Sequence, residues 1–455
     1  MAVSTYKYPT IRCILEVCHH HNTLIMKPTF TLIALLCLQF CFAQTQNKLL
    51  IRNVNVISMA SATEQMQTGM DVYISEGKID KIIPASTRKP AGTTIVDGTG
   101  KYLIPGMADM HVHLPRSKSY FNTHQFLNMQ LACGVTCMRQ MRGLQQDLPL
   151  RDSIRDGLVL GSDLYVSTPF FKNTKVVTAK DLRDSMVLYK KQGFDFIKYL
   201  YGMNEQQYDS FNNIAKEIGF KVAGHAAAGS LAFAVKEGEH VEHIDPFVTL
   251  YKKDSNLFWK TIDEMAEKQL FTCPDAFWYN TVGFHVPIET KMHFTGMEYL
   301  PDTLKQSMKK EEEEQAMKYY NASPTQFAKY INDDSAKVAI YKYILPKMYA
   351  KGVPVLISPG DGDYVIPGFG YVEELRFFVA SGLTPYKTLR CATYNAADFF
   401  GEVDKWGTAT VNSAANLVLL NANPLDDINN VTKIDATILH GKVLKQEDLL
   451  SIVKK

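Results

Sequence analysis

Six side chains in this sequence have the types, and two of them the spacing, that metal-assisted chemistry requires. His111 and His113 stand one residue apart in the stretch Leu103-Ile104-Pro105-Gly106-Met107-Ala108-Asp109-Met110-His111-Val112-His113-Leu114. In an extended strand, residues i and i+2 share a face, so the two imidazoles converge on one point, as two ligands of one cation do. The pair alone is weak, because with 12 His in 455 residues a chance H-x-H arises roughly 0.3 times. Four residues further along the chain give it weight. Lys198, His225, His243 and Asp361 each interrupt or end a segment built of Val, Ile, Phe and Ala. Burying imidazoles, an ammonium and a carboxylate together without partners costs several kilocalories, and a metal centre offsets that cost. Rivals exist at two positions. His240 lies three residues before His243 and faces the other side of the strand, so one of the two points inward; Asp363 competes with Asp361 across Gly362.

The elements that must position these residues have an alternating pattern. Candidate strands lie at 106–113, 135–140, 163–168, 194–200, 221–226, 240–244, 270–277 and 353–359. Helical segments at 123–132, 148–156, 179–192, 204–218, 230–236 and 262–268 fall between most of them. Such alternation predicts an α/β protein with a (β/α)8 TIM-type barrel over residues 105–402. A doubly wound open sheet is the rival, but no Gly-rich phosphate turn follows the first strand. In a barrel, chemistry collects at the C-terminal ends of the strands, which is where the six residues fall. Short strands at 49–57, 71–75, 78–84 and 93–96 form a module too small to close a core, and strand composition returns at 416–420 and 435–444. The expected result is a small β-sandwich domain built from both chain ends, residues 44–104 and 403–455. The long connection 278–345 carries Lys309-Lys310-Glu311-Glu312-Glu313-Glu314, read as a solvated helix face with i,i+4 pairs. Phe277, Trp278, Tyr279, His285 and His293 before it are read as packing, with a lid over the barrel mouth as the alternative.

Composition narrows the class. With 46% apolar residues the chain can build a large core, and a formal charge of +2 with both signs interspersed gives no reason to expect nucleic acid as a partner. From Met26 the sequence has a Lys, a short apolar run and Cys41-Phe42-Ala43 before Gln44, the pattern of a secretory signal cut after Ala43. Residues 1–25, including His19-His20-His21, read as an extension upstream of the true start. The expected mature protein is secreted or periplasmic, with no stable membrane anchor. Of eight Cys, Cys133, Cys137, Cys273 and Cys391 would remain, and their spacing does not fit a zinc site, so they are read as buried thiols.

The ordered set of strand ends resembles the metal-dependent amidohydrolase superfamily, in its imidazolonepropionase-like and prolidase-like branch. The similarity runs over about residues 48–445 and rests on "LIPGMADMHVHL", "GVTCMRQM", "GFDFIKYL", "KVAGHA", "HVEHI" and "GLTPYKTLRCATYNAADFFG", in family order. The resemblance implies two divalent metal ions, zinc by preference although manganese and iron suit the same ligands. His111 and His113 would hold the first with Asp361; His225 and His243 would hold the second. Lys198 would bridge them as a carbamate formed with CO2. Asp361 would also be the catalytic proton shuttle. The chain departs from the family pattern at Ala227, where a second His is frequent, and in Pro359-Gly360-Asp361, Gln140 and Asn416. These departures touch no ligand position and bear on substrate identity.

The expected activity is hydrolysis of an amide or peptide bond in a small substrate, a dipeptide first, by a metal-bound hydroxide. Tyr201 and Arg139 are the candidate substrate contacts. A cyclic amide, lactone or phosphotriester is the alternative substrate class, and a binding protein on an inactive barrel is the alternative outside enzymes.

Overall fold

The computed structural model describes residues 48–451 apart from 88–89, 117–118 and 173–177. The expected signal segment and the upstream extension lie outside the described residues. Among those described, no helix is long and apolar enough to cross a membrane.

Parallel strands form most of a barrel. Met107–Val112, Val135–Gln140 and Asp163–Val166, the first three barrel strands, make one run; Ile197–Tyr201, Val222–Gly224, His240–Glu242 and Thr272–Cys273, the fourth to seventh, make a second, with the two-residue Phe171–Lys172 paired beside the fourth and outside that count. A bridge between Ser167 and Phe196 joins the two runs. The eighth position is filled by 353–357, which bridges the seventh strand through Val355 and Thr272. The Met110 N–H then donates to the Ile357 carbonyl at 3.0 Å and closes the ring. Inside it, Ala108, Met110, Cys137, Phe196, Ala223, Cys273 and Leu356 pack with Ala396 and Phe399 into one buried cluster. The barrel is therefore a filled core with its open chemistry confined to one end.

Local signals explain the outer helices. Asn122, Thr178 and Asn204 each cap a helix and form a capping box with the residue three positions on, starting Thr123–Ala132, Ala179–Gln192 and Glu205–Ile218. Gly193 and Gly219 end the last two in the left-handed conformation that favours glycine.

Both ends of the described chain build one sheet, as the β-sandwich expectation requires. Tyr102–Pro105 pairs with Leu417–Leu420 on one side and with Asn55 and Val56 of Lys48–Val56 on the other. Ile434–Leu439 and Lys442–Lys445 extend the sheet as a hairpin. Pro105 and Gly106 thus mark where the chain leaves the sandwich and enters the first barrel strand.

Four differences from the sequence reading have physical causes. Residues 270–277 are not one strand: the ladder stops at Cys273, and Pro274-Asp275 turns the chain into the helix Ala276–Val282. A further helix, Asp245–Lys253, follows the sixth strand, with Pro246 in its first turn. The long connection folds into the helices Asp302–Ala322 and Pro324–Ala350. Its acidic run is only partly a solvated face. Lys309 and Lys310 do reach Glu313 and Glu314, but Glu312 turns inward to the buried Lys291 at 2.6 Å. The remaining four cysteines are buried and form no disulfide, as expected.

Candidate metal centre

The C-terminal ends of the barrel strands meet around one cavity of about 500 Å3. His111 is the penultimate residue of the first strand, and His113 lies just past its end. Lys198 sits inside the fourth strand; His225 and His243 directly follow the fifth and sixth. Asp361 lies in the loop after the eighth segment. All six residues line the cavity. Strand pairing positions two of them: the His225 N–H donates to the Tyr199 carbonyl at 3.2 Å and the His243 N–H to the Cys273 carbonyl at 2.8 Å.

The tightest grouping includes a residue that sequence reasoning missed. Asp275 Oδ2 lies 3.0 Å from His111 Nδ1 and 3.2 Å from His243 Nδ1. These three side chains present ligand atoms within 4.8 Å of one another and could hold a metal ion. Asp275 is fully buried. Burial alone would raise its pKa, yet the adjacent His111 and His243 outweigh that and hold it at about 2. Its backbone and that of His243 both occupy the left-handed region, at φ of 49° and 67°. Non-glycine residues adopt it at a cost of about 1 kcal/mol or more, a cost that concentrates at functional sites. Buried Glu374 supports the turn by accepting the N–H groups of Ala276 at 3.0 Å and Phe277 at 2.6 Å. The sequence signal was the Pro-Asp pair, which ends strands; reading through it to Phe277 hid the residue.

Around this trio the other candidates arrange themselves in pairs. His113 Nδ1 meets Asp361 Oδ2 at 3.1 Å, and Asp361 is half exposed at the rim. The Nε2 of His113 is buried without a hydrogen-bond partner, an orphaned donor atom of the kind a cation would satisfy. The ring centroids of His111 and His113 lie 5.5 Å apart, and those of His225 and His243 4.9 Å apart. Lys198 Nζ is 3.5 Å from His111 Nε2. Burial is the main cause that pulls the Lys198 ammonium down to about 8, against the opposing pull of Glu242 and Asp275. Burial, then Lys198, lowers His225 to about 3, and burial lowers His111 well below its ordinary value. Imidazoles of lowered pKa at His111 and His225 beside the Asp275 carboxylate form a donor set suited to divalent cations.

The expected carboxylate, Asp361, lies in the cavity beside His113, and Asp275 joins it as a second one. Asp361 contacts His113 alone of the two paired histidines, and His111 pairs with Asp275. Of the rivals, His240 is packed against Phe271 and Phe399 and accepts the Phe271 N–H at 3.0 Å, away from the cavity. Asp363 lines a neighbouring cleft.

Neither proposed substrate contact reaches the cavity wall. Arg139 is completely buried, where its guanidinium bonds both oxygens of Glu242, at 2.8 and 2.9 Å. A charge inside the barrel requires a fixed counter-charge, and Glu242 supplies it. Tyr201 is 54% exposed and outside the cavity lining, to which that strand contributes Lys198 and Leu200. The apolar lining comes instead from Phe170, Leu200, Ala226, Pro246, Trp278 and Tyr279. Trp278 and Tyr279 thus border the mouth, while Phe277, His285 and His293 are outside the lining.

Comparison with known proteins agrees with this architecture. The model of the Amidohydrolase family matches residues 102–444. The chain is 40% identical over 65 residues to an N-acetylglucosamine-6-phosphate deacetylase of Lysinibacillus sphaericus, a stretch covering 14% of this chain and 15% of that one. It is 36% identical over 96 residues to a dihydroorotase of Carboxydothermus hydrogenoformans, covering 20% and 21%. The aligned stretch is thus a small part of either relative. Among solved structures, a Xaa-Pro dipeptidase with methionine in its active site superimposes with a TM-score of 0.65 at 18% identity, over 88% of this chain and all of that one. The bottromycin amidohydrolase gives a TM-score of 0.67 at 19% identity, over 91% and 90%. At these identities the likeness is one of fold.

Proposed function

The chain belongs to the amidohydrolase family, and we propose that it is a metal-dependent hydrolase that cleaves a carbon–nitrogen bond of a small substrate, a dipeptide first. The observation that carries this reading is the convergence of His111, His243 and Asp275 in a cavity that His113, Lys198, His225 and Asp361 also line. These residues would hold two divalent cations, zinc by preference, with Lys198 as a carbamate. The depressed Lys198 pKa supports that modification, because only the neutral amine adds to CO2. Bound there, the cations would supply Lewis acidity toward a carbonyl and would make a water acidic near neutral pH.

The remaining work falls to the protein. Asp361, half exposed and tied to His113, would take a proton from the attacking water and pass it to the leaving nitrogen. Trp278, Tyr279, Phe170 and Pro246 offer an apolar wall for one side chain of the substrate. The fold likeness to a Xaa-Pro dipeptidase and to a prolidase complexed with N-methylphosphonate-L-proline favours a peptide bond beside proline within the dipeptide class. Export through the segment ending at Ala43 would suit a scavenging peptidase.

The test is turnover of a dipeptide library by the purified protein, with lactones and phosphotriesters assayed in parallel. Metal-dependent dipeptide cleavage supports the reading. Turnover confined to lactones or phosphotriesters transfers the site to another substrate class, and a metal-free, inactive protein supports a binding role.

A further inference from the structure

Arg139 and Glu242 are buried, charged and unused by the chemistry above, yet they touch it at one atom. Glu242 Oε2 lies 2.9 Å from His111 Nδ1. Both Glu242 oxygens also accept from Arg139 Nη2, and the Arg139 Nε–H donates to the Met110 carbonyl, on the residue before His111. Phe196 and Phe399 flank the guanidinium, with ring centroids 5.6 and 4.7 Å from its carbon. Arg139 and Glu242 are respectively 0% and 1% exposed. Neither group can reorient without leaving the other as an unpaired buried charge.

We propose that Arg139 and Glu242 form a positioning relay that fixes the ring of His111 as a metal ligand. Both Glu242 oxygens already accept from Arg139, so the carboxylate meets His111 Nδ1 as an acceptor and that nitrogen carries the proton. The tautomer is thereby set with Nδ1–H toward Glu242 and the lone pair of Nε2 toward the cavity, where Lys198 Nζ stands 3.5 Å away. Asp275 also approaches His111 Nδ1, but it is shared with His243 and belongs to the candidate ligand trio. Among the described residues, the other side-chain hydrogen bonds of Glu242 go to Arg139. The bond from Arg139 to Met110 adds a second restraint, holding the strand backbone that carries His111 while the carboxylate holds its ring. Arg139 fits this task better than lysine would, because its planar fork reaches the carboxylate and a carbonyl at once.

The inference rests on the reading of His111 as a metal ligand, so the experiment separates the two. In the wild-type protein loaded with zinc and selectively labelled with 15N-histidine, the shifts assigned to His111 are expected to show Nδ1 protonated and Nε2 bare. A His111 carrying its proton on Nε2 overturns the relay, whatever the variants do. Competition against a chromophoric chelator then measures zinc affinity in Arg139→Lys, Arg139→Met and Glu242→Gln. Each is expected to bind zinc 10–100-fold more weakly than wild type, with Arg139→Lys the least affected, at a far-ultraviolet circular dichroism spectrum that stays native. Wild-type affinity in folded Arg139→Met and Glu242→Gln also overturns the relay. A wild-type protein that binds no zinc defeats the metal reading itself, before the relay is reached.

Discussion

At the scale of single residues, the two carboxylates of the cavity occupy different surroundings. Asp275 is buried between two imidazoles, whereas Asp361 is half exposed and touches one. Asp361→Asn is accordingly expected to keep most of its metal while kcat falls by about 10²–10⁴-fold, the usual share of a general acid–base group; normal turnover would remove Asp361 from the mechanism. Asp275→Asn is expected to do the reverse at the first step, losing metal before any effect on chemistry is measurable. Metal content and kcat determined on the same preparations distinguish the two. The histidines and Lys198 were legible because each interrupts an apolar strand, where a polar side chain has to be explained. Strand periodicity required only one of His240 and His243 to point inward, and the resemblance, not the period, selected His243. Asp275 was not legible, because it follows an apolar run whose end was set too late. Arg139 was read as a candidate substrate contact, and its actual partner was not legible: pairing across the barrel with Glu242, 103 residues away, leaves no local trace.

At the scale of elements, the strands that position the site tolerate little change in volume. Gly224 is the last residue of the fifth strand and precedes His225; a Cβ there would lie 2.0 Å from the Tyr199 carbonyl oxygen of the adjoining strand. Gly224→Ala must therefore push apart the two strands that carry Lys198 and His225. It is expected to destabilise by about 1–3 kcal/mol and to lower metal affinity as well, as read by chemical denaturation and chelator competition. Unchanged stability would mean the strands are freer to move than their pairing implies. The acidic run in the long connection offers a contrast within one helix. Glu312→Ala strands the buried Lys291 and should cost about 3 kcal/mol. Glu311→Ala, on an exposed side chain, should stay within about 0.5 kcal/mol. Equal effects in denaturation would show that Lys291 finds another partner. Charge patterning alone could not pick out Glu312, because four consecutive glutamates look alike until a buried ammonium 21 residues earlier selects one.

At the scale of the whole molecule, the barrel and the sandwich are joined by side chains as well as by chain connections. His440, in the C-terminal hairpin, reaches Asp163 at the start of the third barrel strand at 2.9 Å, and Asn416 bonds the same carboxylate at 2.8 Å. The bond to Asp163 raises the His440 pKa above its ordinary 6.5. A histidine with a folded pKa above its unfolded one contributes stability below the unfolded value and loses it as pH rises through the folded value. His440→Ala is therefore expected to lower Tm more at about pH 5.5 than at about pH 8.5; an equal loss at both would rule out the charged pair. The α/β barrel with a composite β module was readable from alternating periodicity and from strand composition at both ends. The helix after the sixth strand and the paired helices of the long connection were not, since their apolar faces make sense only against the barrel they cover. All of this architecture serves one claim, that the barrel mouth is built around divalent cations. Elemental analysis of the wild-type, His111→Ala and His243→Ala proteins after dialysis in metal-free buffer tests it most directly. Stoichiometric divalent metal is predicted in the wild type, with its loss in both variants. A wild-type protein that retains no metal, and takes up none when zinc or manganese is supplied, would contradict it.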